Sequence, residues 1–245
     1  MGKKTEFLFM SEPDCIAAGV LDAKKCVDNA EGLLKRDESA VEAVFEGLVI
    51  GGVAMAYAGV SRPASGVEHY FSHVWDMRGL EFGTQVDLHG IQCAMGTYIA
   101  AELYEKLKAL TPDREKALKT VAAFDGEAWN ETLRKMLGKG AESMIALEKK
   151  ERKYDKAAHE VRLEKILKLW PEIMDIAAQE IPAMESLDRL YQKLELPRTL
   201  EAIGEDGALL PTVLRCTKDI RDKYVLSRLV WDLGAETKVF GEEAV

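Results

Sequence analysis

The sequence lacks every glycine-rich loop that is typical of nucleotide binding. Neither a GxGxxG motif nor a P-loop occurs in its 245 residues, and no segment has the pattern of a strand, a glycine turn and a helix. Cysteine is also scarce, and Cys15, Cys26, Cys93 and Cys216 form no CxxC pair. This excludes a zinc ribbon or a thioredoxin-type site. Because no signal peptide is found, we expect reduced thiols in a cytoplasmic protein.

Positive charge is in the minority. The formal net charge is −9, which argues against nonspecific nucleic-acid binding because affinity for phosphates requires clustered Lys and Arg. The one basic run, KKERK at 149–153, has Glu148 and Asp155 beside it. This mixture of charges indicates a solvated helix face. We therefore expect no nucleic-acid partner.

Long apolar runs are missing as well. The longest uncharged stretch, GLVIGGVAMAYAGVS at 47–61, is shorter than the roughly 18–20 apolar residues that span a bilayer. It also contains four glycines. We therefore predict a buried core helix here, and no membrane partner.

Helical periodicity covers almost the whole chain. Apolar residues at 41, 44, 45, 48 and 49 have the i, i+3, i+4 spacing of one helix face. Further helices are predicted over 64–78, 87–110, 127–137 and 141–170, and over most of the remaining chain. The first of these is expected to end at Gly79, the third to be capped by Asp125, and the last to stop before Pro171. No convincing alternating strand pattern is present. The predicted fold class is all-α, a multi-helix bundle.

Three of the four histidines lie close together in the sequence. His69 and His73 are four residues apart, so a helix places them on one face. His89 lies near the start of the next predicted helix, from which its ring can point back at His69. Two imidazoles form half of a first-row metal site, and a catalytic site needs a third protein ligand and an open position. The plainer interpretation is a set of hydrogen-bonded histidines, and His159 is predicted to lie on the surface.

Two motifs carry a resemblance to a known family. SRPASGVEHYFSHVWDM, starting at Ser61, and LHGIQCAMGT, starting at Leu88, resemble the C-terminal helical domain of the bacterial glycerol-1-phosphate dehydrogenases. These enzymes belong to the wider superfamily of iron-containing alcohol dehydrogenases and glycerol dehydrogenases. The resemblance extends over about 33–137 and returns at RDKYVLSRLVWDLG, 221–234. We accordingly predict an unmatched, partly helical segment over 1–32 and a helical metal-binding domain over 33–245.

The resemblance implies an oxidoreductase of phospholipid metabolism that reduces dihydroxyacetone phosphate to glycerol 1-phosphate. In that family an N-terminal α/β domain binds NAD(P), and the helical domain supplies most of the metal site. Carried over by motif, His69 and His89 would bind a divalent metal (Zn, Ni or Fe), and His73 would be a catalytic residue in proton relay. Ser61 and Arg62 lie at a helix start that favours anions. They are candidates for contact with the substrate phosphate, although capping or a structural ion pair explains them equally well.

The chain also departs from the family. No cofactor domain is found in these residues, so NAD(P) would bind only if an N-terminal α/β domain or subunit supplies the site. Asp22, in AAGVLD, is closer to His69 than the family's third ligand is, and a helix-surface acid is the preferred interpretation. With two neutral imidazoles, weak metal binding is expected. We expect an inactive chain that self-associates. The alternative is a non-catalytic scaffold or assembly module derived from the same fold.

Overall fold

The computed structural model describes residues 27–59 and 65–242. Every regular element in these two ranges is a helix, which confirms the all-α prediction. Asp22 and the two candidate phosphate contacts, Ser61 and Arg62, lie outside the described residues.

The α-helices are α1 (Ala30–Leu34), α2 (Glu38–Ala58), α3 (Val67–Phe82), α4 (His89–Lys108), α5 (Arg114–Ala122), α6 (Gly126–Leu137), α7 (Gly140–Glu151), α8 (Lys156–Glu180), α9 (Met184–Lys193), α10 (Leu210–Cys216), α11 (Leu226–Asp232) and α12 (Glu236–Phe240). Short 3₁₀ turns occupy Glu201–Ile203, Gly207–Leu209 and Thr217–Asp219.

The described residues form two compact units. The smaller unit contains those up to Gly66 together with Ala183–Arg198, and therefore α1, α2 and α9. Within it, Gly32 lets α1 approach α2, because a Cβ at this position would lie 2.7 Å from the Cβ of Ala40. The larger unit contains Val67–Pro182 and the described residues from Thr199 onward, and it holds the remaining helices.

Helix α2 is not the buried core helix that its composition predicts. Its buried positions include the small residues Ala40, Gly47 and Ala54, while Phe45 and Leu48 are 68% and 69% exposed. The prediction was wrong because apolar composition does not show which face of a helix is covered by neighbouring residues. By length and composition Glu38–Ala56 could also cross a membrane, and a single helix of this kind says little about a span.

Helix α3 continues past the glycine that was predicted to end it. A Cβ at Gly79 would lie 2.0 Å from Cγ2 of Val86, so the bare backbone at this position makes room for the chain that follows the helix. The helix ends instead at Phe82, and Gly83 follows with a φ of +67°. The prediction of α4 was close, since this helix spans His89–Lys108.

The long charged helix predicted over 141–170 is divided in two. Arg152 has a φ of +50° and ends α7, and the Asp155 carboxylate accepts a hydrogen bond from the Ala158 amide at the start of α8. Helix α8 then continues through Pro171, which was predicted to stop it. The Asp125 cap of α6 was predicted correctly: its side chain accepts from two backbone amides.

Buried side chains hold α3 against α4. Phe71 and Trp75 on α3 and Met95 and Ile99 on α4 are nearly inaccessible to water, and each large apolar side chain buried in this way contributes about 1.5–3 kcal/mol. Gly96 brings the helices together, because a Cβ there would lie 2.8 Å from the backbone oxygen of Glu68. This contact positions the first turn of α4 beside the first turns of α3.

A buried carboxylate in the larger unit accepts hydrogen bonds from three side chains. Asp219 accepts hydrogen bonds from Trp129 Nε1 (2.8 Å), Arg228 Nη2 (2.7 Å) and the Tyr154 hydroxyl. Lys218 Nζ lies 3.7 Å from the centroid of the Trp129 ring. Burial by itself raises the pKa of Asp219, but Arg228 and Lys218 outweigh it, so the pKa lies below its usual value. A buried charge is tolerated here because it is paired and hydrogen-bonded.

His159 lies beside a second buried carboxylate, Asp232, and not on the surface as predicted. This histidine is 1% exposed, and its Nε2 donates to the backbone oxygen of Asp232 at 2.8 Å. The Asp232 side chain accepts two bonds from Arg162 (3.0 and 3.2 Å) and one from the Tyr224 hydroxyl (2.7 Å). His159 lies on the inward face of a charged helix, and charge along a helix does not show which residue faces the core.

Candidate metal centre

Three potential metal ligands meet where α3 and α4 face each other. His69 lies in the first turn of α3, and His89 begins α4. Cys93 lies four residues after His89, and residues at this spacing occupy one face of a helix. The ligand atoms of all three lie within 4.8 Å of one another.

The distances between the three ligand atoms are short. His69 Nδ1 and His89 Nε2 are 3.0 Å apart. Cys93 Sγ lies 3.6 Å from each of these nitrogens. The group is accessible from outside, since His89 is exposed and the other two side chains are half-buried.

A buried hydrogen-bond chain fixes the His89 ring. Ser72 and Gln92 are 0% and 1% exposed, and the Ser72 hydroxyl donates to Gln92 Oε1 at 2.5 Å. Because a hydroxyl has one hydrogen, Ser72 must accept the bond that joins it to His89 Nδ1 at 2.7 Å. The hydrogen of His89 is therefore on Nδ1, and Nε2 presents its lone pair to His69 and Cys93.

His69 has a carboxylate near its other nitrogen. The Glu68 carboxylate lies 3.8 Å from His69 Nε2, whereas Nδ1 faces His89. This separation exceeds hydrogen-bond distance, so Glu68 acts on His69 through its charge. Because His69 Nδ1 lies 3.0 Å from the His89 Nε2 lone pair, Nδ1 can donate to it in the metal-free chain, and a cation between the two nitrogens would take the place of that hydrogen.

The Cys93 thiol is protonated when no cation is present. Burial raises its pKa to about 11, and the carboxylates of Glu68 and Asp76 add to the effect. A metal ion reverses this preference, because a coordinating thiol gives up its proton. The acidic neighbours that disfavour a free thiolate also attract a divalent cation.

The other predicted residues are placed as follows. His73 lies one turn after His69 on α3, and its ring centroid is 6.4 Å from that of His89. Burial, followed by the positive charge of Arg221, lowers the pKa of His73 and so favours its neutral imidazole. Tyr70 is buried, whereas Phe82 is exposed.

Sequence reasoning missed Cys93. The signal was present in the HGIQC segment, where a cysteine follows a histidine by four residues in a helix. Cys93 was interpreted only as one of four scattered thiols, because its partner on the other helix is 24 residues away.

The donor set suits a divalent first-row metal. Imidazole nitrogen is a common ligand of zinc, iron and nickel, and thiolate sulfur favours the softer of these ions. The distances of 3.0 and 3.6 Å between the three donor atoms support the same fit independently of any resemblance. The roles of His69 and His89 as metal ligands stay a prediction.

Comparisons with known proteins give a partial match to one kind of enzyme. The chain is 44% identical over 84 residues to the glycerol-1-phosphate dehydrogenase (NAD(P)+) of Korarchaeum cryptofilum, which covers 34% of this chain and 27% of that protein. It is 38% identical over 97 residues to the enzyme of the same name from Methanosphaera stadtmanae, covering 38% and 27%. The corresponding match in Halalkalibacterium halodurans is 32% over 102 residues, covering 42% and 23%. No protein-family profile matches the chain.

These matches are local. The matched stretch spans about a quarter of the length of these relatives and a third or more of this chain. Within that extent, the resemblance of this chain to the glycerol-1-phosphate dehydrogenases is confirmed.

Proposed function

We propose that this chain is the metal-binding, substrate-cleft half of an NAD(P)-dependent oxidoreductase of the glycerol-1-phosphate dehydrogenase type. Its substrate pair would be dihydroxyacetone phosphate and glycerol 1-phosphate, and its location the cytoplasm. The observation that carries the proposal is the 3.0 Å approach of His69 Nδ1 and His89 Nε2, within the segment that resembles these enzymes.

His69 and His89 would hold the metal in this proposal. A bound divalent cation supplies Lewis acidity to a substrate oxygen. The chain's own contribution is to orient the His89 ring through Ser72 and Gln92, and to place the negative charge of Glu68 3.8 Å from His69 Nε2. Such outer partners fix the donor nitrogen and make it more basic.

His73 is assigned to the reacting end of the substrate. It lies on the same side of α3 as His69 and is half-buried. Its neutral imidazole can accept a proton at one nitrogen while donating from the other. Ser61 and Arg62 stay assigned to the substrate phosphate on the strength of the sequence alone.

The nicotinamide cofactor would be bound by a partner. The sequence contains no dinucleotide-binding motif, and hydride transfer requires the nicotinamide to be positioned against the substrate carbon. An N-terminal α/β domain or subunit is therefore part of the proposal, and we expect no turnover by this chain alone.

A second candidate is a non-catalytic assembly module. It is favoured by the exposed apolar side chains of α2, which include Val41, Phe45, Leu48 and Val53. A patch of this kind tends to be covered by another surface. Assembly into a homo-oligomer would cover it without requiring any chemistry at the histidines. The two candidates differ in whether the histidine site recognises the substrate.

Substrate binding to the zinc-loaded chain separates the two candidates. Titration calorimetry with dihydroxyacetone phosphate should show binding that disappears in the variant carrying both His69→Ala and His89→Ala. The His73→Gln variant serves as a comparison, and it should keep zinc while binding the substrate more weakly. Substrate binding that survives loss of both histidines, or its absence from a chain that holds zinc, would contradict the enzymatic proposal.

Activity provides the second readout. The chain alone, mixed with dihydroxyacetone phosphate and NADH or NADPH, should not oxidise the nucleotide. Metal-dependent turnover by the pure chain would show that a cofactor site is present and that the proposed division of labour is wrong.

A further inference from the structure

We propose that Cys93 is the third protein ligand of this centre, so that the chain binds its metal through two imidazoles and one thiolate. The inference deepens the proposed function and depends on the metal site formed by His69 and His89. Within residues 27–59 and 65–242, Cys93 is the residue that groups with the two histidines as a third potential ligand, and as a thiolate it would bring a negative charge.

Two of the three distances match the edges of a tetrahedral site, and the third is about 0.3 Å shorter than its edge. With Zn–N lengths of about 2.05 Å, a Zn–S length of about 2.3 Å and tetrahedral angles, N···S edges are about 3.6 Å and the N···N edge about 3.3 Å. Both Cys93 Sγ–nitrogen distances are 3.6 Å, and the His69–His89 nitrogen distance is 3.0 Å. A small separation of the two rings completes the geometry.

The backbone holds Cys93 in place for this role. His89 and Cys93 are one turn apart on α4, so a single rigid helix carries two of the three donors. The third comes from α3, which Gly96 brings close to α4. A site on packed helices keeps its geometry better than one on loops.

The thiolate would also determine which metal is held. It brings one negative charge to a site that otherwise has two neutral donors, and as a soft ligand it favours zinc or cobalt over magnesium or manganese. The fourth position stays open, as in catalytic zinc sites with three protein ligands. A third ligand reverses the expectation of weak binding that the histidines alone support.

Cobalt titration tests the proposal directly, because thiolate coordinated to Co²⁺ gives a charge-transfer band in the near ultraviolet. The wild-type chain should show this band at one cobalt per chain, and Cys93→Ser should lose it. The cobalt affinity of the variant should fall at least by the about 10–100-fold that is typical even of outer partners. Cys93→Ala provides a second variant in case the serine is poorly tolerated.

Cys216→Ala is the matched control, since Cys216 is a buried cysteine in the same unit. It should keep the band. Cobalt that binds without the band, with equal affinity in wild type and Cys93→Ser and lost only with the histidines, would overturn the role of Cys93 and leave the proposed function intact. A folded wild-type chain that binds no cobalt or zinc would overturn both proposals.

Discussion

The larger unit contains two polar clusters that use their hydrogen-bonding groups differently. In the cluster around Asp219, the buried carboxylate meets Trp129, Tyr154 and Arg228 as donors. In the cluster of His69, His89 and Cys93, three potential metal-ligand atoms lie within 4.8 Å of one another, and His89 is exposed. The first arrangement is complete without a ligand, whereas the second would be completed by the cation that we propose.

The difference separates structural histidines from candidate ligands. The ring of His159 is buried and donates to a backbone oxygen, which fixes the start of α8 against α11. The ring of His89 is exposed, and a buried serine holds it so that its Nε2 lone pair faces His69 and Cys93. Burial of the supporting residues, and exposure of the donor atom, is what a binding site requires.

The largest expected effect is on stability. Asp219→Ala removes the carboxylate from a buried ion pair with Arg228 and should lower the free energy of unfolding by about 3–5 kcal/mol, because a buried cation is left unpaired. Urea unfolding followed by tryptophan fluorescence measures this, since all four tryptophans lie in the larger unit. The exposed Asp222→Ala is the control and should stay within about 0.5 kcal/mol of wild type. Equal losses in the two variants would contradict the structural role of the Asp219 cluster.

Removing the two histidines should weaken zinc binding and leave the stability of the metal-free chain nearly unchanged. The variant with His69→Ala and His89→Ala should bind zinc at least about 100-fold more weakly, since two of three donors are gone. Its metal-free form should unfold within about 1 kcal/mol of wild type, because neither ring is deeply buried. Competition with a chromophoric chelator gives the affinity. A loss of stability comparable with that of Asp219→Ala would show that the histidines are structural.

The serine behind His89 should have an intermediate effect. Ser72→Ala removes the acceptor that holds the hydrogen on Nδ1, and zinc affinity should fall by about 10–100-fold. Ser143→Ala is the control, because that hydroxyl is exposed and bonds only to a backbone oxygen on its own helix, α7. Zinc affinity that is unchanged in Ser72→Ala would indicate that the His89 ring is held by other contacts.

The smallest expected effect is the pH dependence of the stability that the buried Asp219 carboxylate contributes. Because the pKa of Asp219 is lower in the folded chain, its contribution is fully present above the unfolded value of about 3.9 and is lost as the pH falls through the folded value. The stability difference between wild type and Asp219→Asn should be constant from pH 7 to about 5. Below that it should shrink by at most about 1.4 kcal/mol per pH unit. A stability difference that grows on acidification would contradict the lowered pKa of Asp219 in the folded chain.

Most of the fold could be predicted from the sequence because helices leave local signals. The Asp125 cap and the periodicity of α4 depend on residues a few positions apart. The failures depend on distant contacts. Continuation of α3 beyond Gly79 depends on the packing of Val86, and the exposure of α2 depends on which surfaces meet it.

The candidate site shows the same limit. His69 and His89 could be found from their motifs, and the facing of α3 and α4 brings them together. Cys93 and Ser72 could not be assigned from spacing alone, because their roles depend on which side chain of the other helix they meet. A residue's chemistry is visible in the sequence, but its partners are set by packing.

X-ray absorption at the zinc edge tests the central claim most directly. The zinc-loaded chain should show about two nitrogen neighbours at imidazole distances near 2.0–2.1 Å and one sulfur near 2.3 Å, with one further light atom in the open position. Cys93→Ser should lose only the sulfur. A shell of light atoms without sulfur in the wild-type chain, or zinc that is removed by desalting, would contradict a centre built from His69, His89 and Cys93.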